Sequence, residues 1–299
     1  MEPTTFRAGY VAILGKPNAG KSTLLNTLLQ QKISIVTPKP QTTRHKILGI
    51  VNSSDYQILF LDTPGLLQPK YKLHEAMMSA AYSAINDADV VLLLIDGTDC
   101  NLEEIDEDIS LKILEGCKKP VFLLINKIDV LQKGKILQLI SKFSEKFSFT
   151  EYFPLSALKG ENVLQIVATI VPLLPVHPPY YETEQMSDMS ERFFVSEIIR
   201  EKIFELCRQE IPYSTTVDII EFKEQEGKPD IINAEIILER DSQKRIVIGK
   251  KGIMLRTIGI NARQDIEKFL GRYVYLELYV KVREDWRESD NFLKQFGYK

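Results

Sequence analysis

The sequence predicts an α/β protein in two parts: a domain with a mostly parallel sheet clad by helices, then a smaller α+β domain. Three observations carry this reading. Over the first ~170 residues, short apolar runs alternate with helix-like segments, the pattern of strands buried on both faces by crossover helices. Pro172, Pro175, Pro178 and Pro179 then fall within eight residues. That density forbids a regular helix and favours an extended linker. Beyond it the rhythm changes to helix, two strands, helix and strand.

In order, residues 10–14, 57–61, 90–95, 121–125 and 152–155 read as strands. Residues 45–51 read as another, joined to 57–61 by the turn-forming Asn52-Ser53-Ser54-Asp55. That pair would be an antiparallel edge on an otherwise parallel sheet. An amphipathic helix occupies 22–30. The domain boundaries are then 1–175 for the first domain, 176–190 for a proline-containing linker and 191–299 for the second domain. Within the second, 192–208 is helical in pattern, 215–222 and 231–239 are strands, 255–270 is helical and 273–282 is a strong strand.

Composition narrows the function. The 299 residues suit about two domains. At 44% hydrophobic and 26% charged, the chain can bury real cores and is not a disordered one. Its net charge of -3 argues against a broadly basic nucleic-acid binder, so any basic surface must be local. Cys100, Cys117 and Cys207 form neither a metal pattern nor a disulfide framework, which fits a reducing cytosol. His45, His74 and His177 are too scattered for a zinc site. Met1-Glu2-Pro3-Thr4-Thr5 lacks a basic region leading into an apolar run, so no signal peptide is read there. The apolar run 90–95 is far too short to cross a bilayer.

The decisive segment is Gly15-Lys16-Pro17-Asn18-Ala19-Gly20-Lys21-Ser22, with Thr23 directly after it. It satisfies G-x-x-x-x-G-K-[ST] in full, with a strand before it and a helix after it. Glycines let the backbone wrap closely around phosphate, and successive N–H groups with the helix N-terminus face the anion. Lys21 supplies positive charge to the β- and γ-phosphates, and the Ser22 hydroxyl ligates magnesium. Asp62-Thr63-Pro64-Gly65 comes after a strand end. Its carboxylate would hold the magnesium through water, and the Gly65 N–H would approach the γ-phosphate. Alone, these four residues read as a plain turn.

Asn126-Lys127-Ile128-Asp129 directly succeeds the strand at 121–125. The Asp129 carboxylate accepts from the guanine ring N–H and exocyclic amino group. Adenine offers neither in that arrangement and would leave the carboxylate unpaired, a penalty able to discriminate by roughly 10⁴. After the next strand comes Ser156-Ala157-Leu158, where the Ala157 N–H is placed to reach the guanine carbonyl.

These four segments, in this order, resemble the translation-factor-like class of regulatory GTPases over about residues 6–174. The resemblance implies a GTP- and GDP-binding, GTP-hydrolysing domain with Mg²⁺. Gln41-Thr42-Thr43-Arg44 falls where such proteins carry the switch threonine. Thr43, directly before Arg44, is the choice for the magnesium ligand and Thr42 the fallback. Leu66 stands where the Ras branch has a water-orienting glutamine, and it cannot do that work. In potassium-activated relatives an Asn at the place of Asn18 helps bind a monovalent cation that stands in for an arginine finger. Lys21, Thr43, Gly65 and Asn18 are thus the candidate catalytic residues. A loop-stabilising role for Asn18 is the alternative.

In the second domain, Ile248-Gly249-Lys250-Lys251-Gly252 reads as a turn between a strand and a helix. G-x-x-G so placed is the backbone clamp of a KH domain, which grips single-stranded RNA. Basic residues dominate 240–272, so positive charge is focused there in a slightly acidic chain. Ile246, Ile248, Ile253 and Ile258 would line a groove or fill the core, and core is the expectation for each.

A P-loop GTPase domain leading into a KH-type domain at this length is similar to the Era family of bacterial ribosome-assembly GTPases, over almost the whole chain. That resemblance implies binding to the 3′ region of small-subunit ribosomal RNA and help in assembling the small ribosomal subunit. It also implies peripheral association with the inner membrane; a cytoplasmic monomer is the expectation. Two other readings compete: an RNA chaperone using GTP only as a structural ligand, and a membrane-linked signalling GTPase whose C-terminal domain binds a protein.

Overall fold

The computed structural model describes residues 6–101, 105 and 108–298. Met1–Thr5, where no leader is read, lie outside them. Two units are present. The first comprises Met1–Ser34, Thr43–Pro69 and His74–Asp188; the second comprises Ile35–Thr42, Lys70–Leu73 and Met189–Lys299.

The first unit is built on β1 (Arg7–Leu14), β2 (Ile47–Asn52), β3 (Tyr56–Asp62), β4 (Val90–Asp96), β5 (Val121–Asn126) and β6 (Glu151–Pro154). They lie in the order β2-β3-β1-β4-β5-β6, with β2 antiparallel to β3 and the other neighbours parallel. The antiparallel edge is where the Asn52–Asp55 turn predicts it. Val121–Ile125 are at most 1% exposed, and Val90–Leu94 are 0% exposed, which explains their unbroken apolar runs. The chain order also contains helices α1 (Lys21–Leu29), α2 (Lys72–Asp87), α3 (Ile109–Leu114), α4 (Lys133–Lys146) and α5 (Val163–Ile170). Gln41–Arg44 lies in the loop between α1 and β2, whereas the other four predicted nucleotide segments leave the carboxyl end of a strand, β1, β3, β5 or β6. This is the end at which open parallel sheets bind ligands.

The proline-rich segment is extended, as expected, but it is no free linker. Pro175 O accepts from Ala8 N–H at 3.2 Å, and His177 N–H donates to Phe6 O at 3.1 Å. Gln57, fully buried, accepts from the Tyr180 and Tyr181 N–H groups at 2.7 and 3.1 Å and donates to Tyr181 O at 2.9 Å. Farther on, Ile50 N–H donates to Met186 O at 2.9 Å, and the Ser187 hydroxyl to Leu48 O at 2.6 Å. The first unit therefore runs to Asp188 rather than to 175. Proline spacing shows where the helix stops, but not that a buried glutamine fastens the residues beyond it.

The second unit contains α6 (Glu191–Leu206), β7 (Thr216–Lys223), β8 (Asp230–Leu238), α7 (Asp241–Ile248), α8 (Ile253–Leu270), β9 (Val274–Val282) and α9 (Asp290–Gln295). Its sheet has the order β7-β8-β9, with β7 antiparallel and β9 parallel to β8. Val195, Ile199 and Ile203 of α6 and Ile258, Ala262 and Ile266 of α8 share a core with alternate residues of β7 and β8. Both triplets have the spacing of a single helix face. Trp286 closes this unit, fully buried, its indole N–H donating to Ser214 O at 2.9 Å.

Helix α7 corrects the sequence reading, which ran the strand directly into the Gly249–Gly252 turn. The turn lies between two helices. Gln243 starts α7 by accepting from the Glu239 and Arg240 N–H groups at 3.0 and 3.1 Å. Only Gln243 and Val247 are buried along its eight residues. Two buried positions are too thin a stripe to register as helical periodicity.

Candidate nucleotide and RNA sites

The loop after β1 is a closed backbone cradle. Gly15 has φ 149°, and a Cβ there would stand 2.1 Å from Leu94 O. Lys21, 6% exposed, sends its ammonium to Gly15 O and Lys16 O, both at 2.9 Å. Burial pushes its pKa down to about 8, against the upward pull of Asp62. Pro17 packs on Gly65, where a Cβ would lie 2.8 Å away, so this glycine is required by loop-to-loop contact as well as by approach to phosphate. Thr63 ties the end of β3 to β1 through Ile13 O at 2.7 Å. Thr23 lies in the first turn of α1, its carbonyl accepting from the Thr27 hydroxyl at 2.9 Å. Asn18 is exposed at φ 64°, a left-handed conformation that asparagine tolerates better than most residues. Leu66 turns inward at 2% exposure, and its N–H donates to Gly15 O at 3.0 Å.

Three hard oxygens converge beside this cradle. The Ser22 hydroxyl lies 2.7 Å from Thr43 Oγ1 and donates to Asp62 Oδ2 at 2.7 Å. Ser34, which the sequence reading overlooked, also donates to Asp62 Oδ2, at 3.1 Å. Asp62 is fully buried and its other oxygen, Oδ1, has no hydrogen-bond partner among the described residues. Burial raises its pKa, opposed by Lys21, Ser22 and Ser34. A buried carboxylate oxygen without a donor, next to two hydroxyls, suits Mg²⁺ and its water shell. Thr42 is occupied elsewhere: its hydroxyl donates to Lys39 O and meets Thr37 Oγ1, both at 2.7 Å. Of the two candidates, Thr43 alone faces Ser22.

Asn126 is the strut of the base side. It is 3% exposed, its amide donates to Ala19 O at 2.7 Å, and its Oδ1 accepts from Ala157 N–H at 2.9 Å. One side chain thus joins the phosphate loop, the end of β5 and the loop after β6. The Ala157 N–H, read from sequence as placed to reach the guanine carbonyl, here donates to Asn126 Oδ1. Asp129 lies in the turn just after Asn126. Its carboxyl is held below the usual range by a hydrogen bond from Ser156, with Lys159 contributing from 3.6 Å. Ser156 is buried, whereas the Leu158 side chain is 79% exposed and lies outside the packed site. Two further carboxylates escaped notice: Asp96, paired with Lys127, and Asp108, 2.9 Å from the Lys16 ammonium. Asp96 had a readable signal, because it ends an apolar strand as Asp62 does.

In the second unit, Gly249 has φ 72°, and a Cβ there would sit 2.7 Å from Met254 Cβ. Lys250 and Lys251 project as exposed side chains between Gly249 and Gly252, and Lys251 itself holds φ 51°. Ile258 is core, fully buried as expected. Ile246 and Ile253 are not, at 47% and 63% exposed, and Ile248 is half-buried. Both exposed isoleucines flank the glycine turn on α7 and α8, so they contribute apolar surface beside the lysines rather than filling the interior.

A phosphate-loop cradle, a buried set of hard oxygens and the Asn126–Asp129 turn on one parallel sheet, with a glycine turn in a second unit, are the features of a P-loop GTPase that carries a KH domain. Residues 10–127 match the family described as 50S ribosome-binding GTPase, and residues 210–287 match the KH domain. GTPase Era of Geobacter metallireducens is 46% identical over 299 residues, 100% of both chains. GTPase Era of Clostridium kluyveri is 46% identical over 296 residues, 98% of this chain and 99% of that one. A crystal structure of Era in complex with MgGDPNP and nucleotides 1506–1542 of 16S ribosomal RNA superposes with a TM-score of 0.93. It is 44% identical over 98% of this chain and 99% of that chain. A variant of Aquifex aeolicus Era bound to GDP and AlF₄⁻ has the same score, identity and coverage. The chain belongs to the Era family of GTPases.

Proposed function

We propose that this GTPase is a switch that grips the 3′ region of small-subunit ribosomal RNA through Ile248–Gly252 and assists assembly of the small ribosomal subunit. The relative solved with 16S nucleotides 1506–1542 supports the choice of RNA at 44% identity. The family description naming the 50S particle covers the GTPase segment alone and does not choose the RNA. The observation that carries the reading is the turn itself: close packing of Gly249 on Met254, with two exposed lysines beside it. Backbone held tightly and charge held outward is what gripping a phosphate chain needs.

On the nucleotide side, Lys21 binds the β- and γ-phosphates, Asp129 selects guanine, and Ser22, Thr43 and Asp62 hold Mg²⁺. Held by these three residues, the ion would supply positive charge against the phosphates. Thr43 and Gly65 order their segments around the γ-phosphate and release them after hydrolysis. Asn18 would help hold a potassium ion, whose charge would offset the lack of a glutamine at Leu66. The protein works as a monomer in the cytoplasm, and its membrane contact is peripheral.

The test is the double variant Lys250→Asp, Lys251→Asp, with aspartate chosen because it accepts the left-handed backbone at 251. RNA affinity is expected to collapse while GTP binding stays normal. By filter binding at several salt concentrations, the slope of log affinity against log salt should flatten by about 1.4, from two lost single-strand phosphate contacts. Unchanged affinity and slope would remove the clamp assignment.

A further inference from the structure

Asp96 ends β4 directly across from Asn126, its register partner at the end of β5. Its two carboxylate oxygens are divided between two tasks. Oδ1 accepts from the Thr98 N–H at 2.9 Å and the Thr98 hydroxyl at 2.6 Å, a local turn that fixes the plane of the group. Oδ2 is thereby aimed at the Lys127 ammonium, and the two form an ion pair. Gly97 N–H donates to Asn126 O at 3.1 Å, and a Cβ at Gly97 would lie 2.6 Å from Leu131. The end of β4 is therefore locked against the loop that carries Lys127. The Asp96 side chain is only 16% exposed. Burial pushes its pKa up, but the bonds from Lys127 and Thr98 outweigh this and hold it below the usual carboxylate range.

Lys127 is held at its other end as well. Its backbone has φ 68°, and its carbonyl accepts from Val130 N–H at 3.2 Å in the turn that contains Asp129. A lysine side chain normally has large rotamer freedom, lost when a ligand settles on its stem. Here the chain is already fastened at Cα and at Nζ.

We infer that Asp96 is a positioning residue for base recognition: through Lys127 it holds a fixed apolar stem, in the same turn as Asp129, for the face of the purine. The inference rests on the base-site reading of Asn126–Asp129. A stem that meets the ring face is indifferent to the number of phosphates and to the 2-amino group.

The experiment compares dissociation constants of the full chain for GDP, GTP and inosine diphosphate. Asp96→Asn keeps an oxygen for Thr98 and removes the charge facing Lys127. All three ligands should weaken by one common factor, about ten- to thirtyfold, the value of freezing one lysine side chain. Lys127→Met keeps the stem without its anchor and should lose the same factor, and the double variant no more than either single one. A loss below about twofold in Asp96→Asn, or single losses that multiply in the double variant, overturns the assignment. Should Asp96→Asn not fold, Lys127→Met decides alone, a loss below about twofold overturning it. Asp129→Asn separates the two layers. If it keeps guanine over xanthine, the base-site reading fails and the Asp96 role with it. If it switches while Asp96→Asn binds normally, only the Asp96 role is lost.

Discussion

Removing the Asn126 side chain should damage both stability and nucleotide binding, because two loops depend on one amide. In Asn126→Ala, Ala19 O loses its donor and Ala157 N–H its acceptor. Ala19 is 1% and Ala157 0% exposed, so water does not easily replace the missing partner. A buried polar group left unsatisfied costs about 1–3 kcal/mol, so the pair should cost about 2–6 kcal/mol. That is a large share of the ~5–15 kcal/mol that holds a typical domain. If the loops stay closed, the loss appears in urea unfolding of the protein alone. If they open and hydrate, it appears in GDP affinity instead, as a rise in Kd of about 30-fold or more, because the ligand must close them again. Asn126→Asp sharpens the test. It keeps the volume and the acceptor for Ala157, but sets an oxygen where Nδ2 donated to Ala19 O across 2.7 Å. It should be at least as harmful as alanine. Either variant with unfolding free energy within about 0.5 kcal/mol of the parent and GDP affinity within about twofold would refute the strut.

Asp129→Asn should exchange preference for guanine against preference for xanthine, since an amide donates where xanthine offers a carbonyl; competition between the two diphosphates measures it, and an unchanged order contradicts the base contact. Hydrolysis should run faster in potassium than in sodium at equal ionic strength, and Asn18→Gly, which suits φ 64°, should abolish the difference in phosphate release. Equal rates of the parent in both salts would end the potassium reading. Lys21 sets a pH limit: its pKa is lowered to about 8 from 10.5, and phosphate needs the ammonium. GDP affinity in EDTA should be level below pH 8, then fall by up to about tenfold per unit above it, as binding must take up a proton. A level profile to pH 9 would show that burial does not depress this lysine.

Much of the site was legible because its residues act in short local segments. The phosphate loop, Asp62–Gly65 and Asn126–Asp129 each come directly after an apolar run, and strands buried on both faces announce themselves as such runs. What escaped was pairing across long stretches of sequence. Asn126 meets Ala19 and Ala157, Lys127 meets Asp96, and Ser34 meets Asp62. No periodicity encodes these contacts, because each is fixed only when separate strand ends are brought side by side. The bond from Ala157 N–H to Asn126 went unread for the same reason: its acceptor lies 31 residues away. Ile246 and Ile253 misled in the opposite direction, since hydrophobicity gives no sign of which isoleucine faces inward around a tight glycine turn. Geometry also separates Thr42 from Thr43: the Thr43 hydroxyl meets Ser22, whereas that of Thr42 bonds Thr37 and Lys39.

The strap formed by the proline-rich segment also answers an old hazard of open sheets. Strand β2 is the outer strand on its side, and an outer strand offers unpaired backbone groups to any passing chain. Met186 O accepts from the Ile50 N–H, the Ser187 hydroxyl donates to Leu48 O, and the Asn52 amide donates to Thr183 O at 2.9 Å. The chain thus shields its own border with the residues that lead away from the domain. A fragment cut after Pro175 would keep the predicted phosphate and base segments yet strip that shield and leave the Gln57 amide without its three bonds to Tyr180 and Tyr181. Such a fragment is expected to add strands between copies and precipitate. A GTPase fragment meant to stay in solution has to carry its chain on to Asp188, so the practical limit of the catalytic module is drawn by edge protection rather than by the last residue that touches nucleotide.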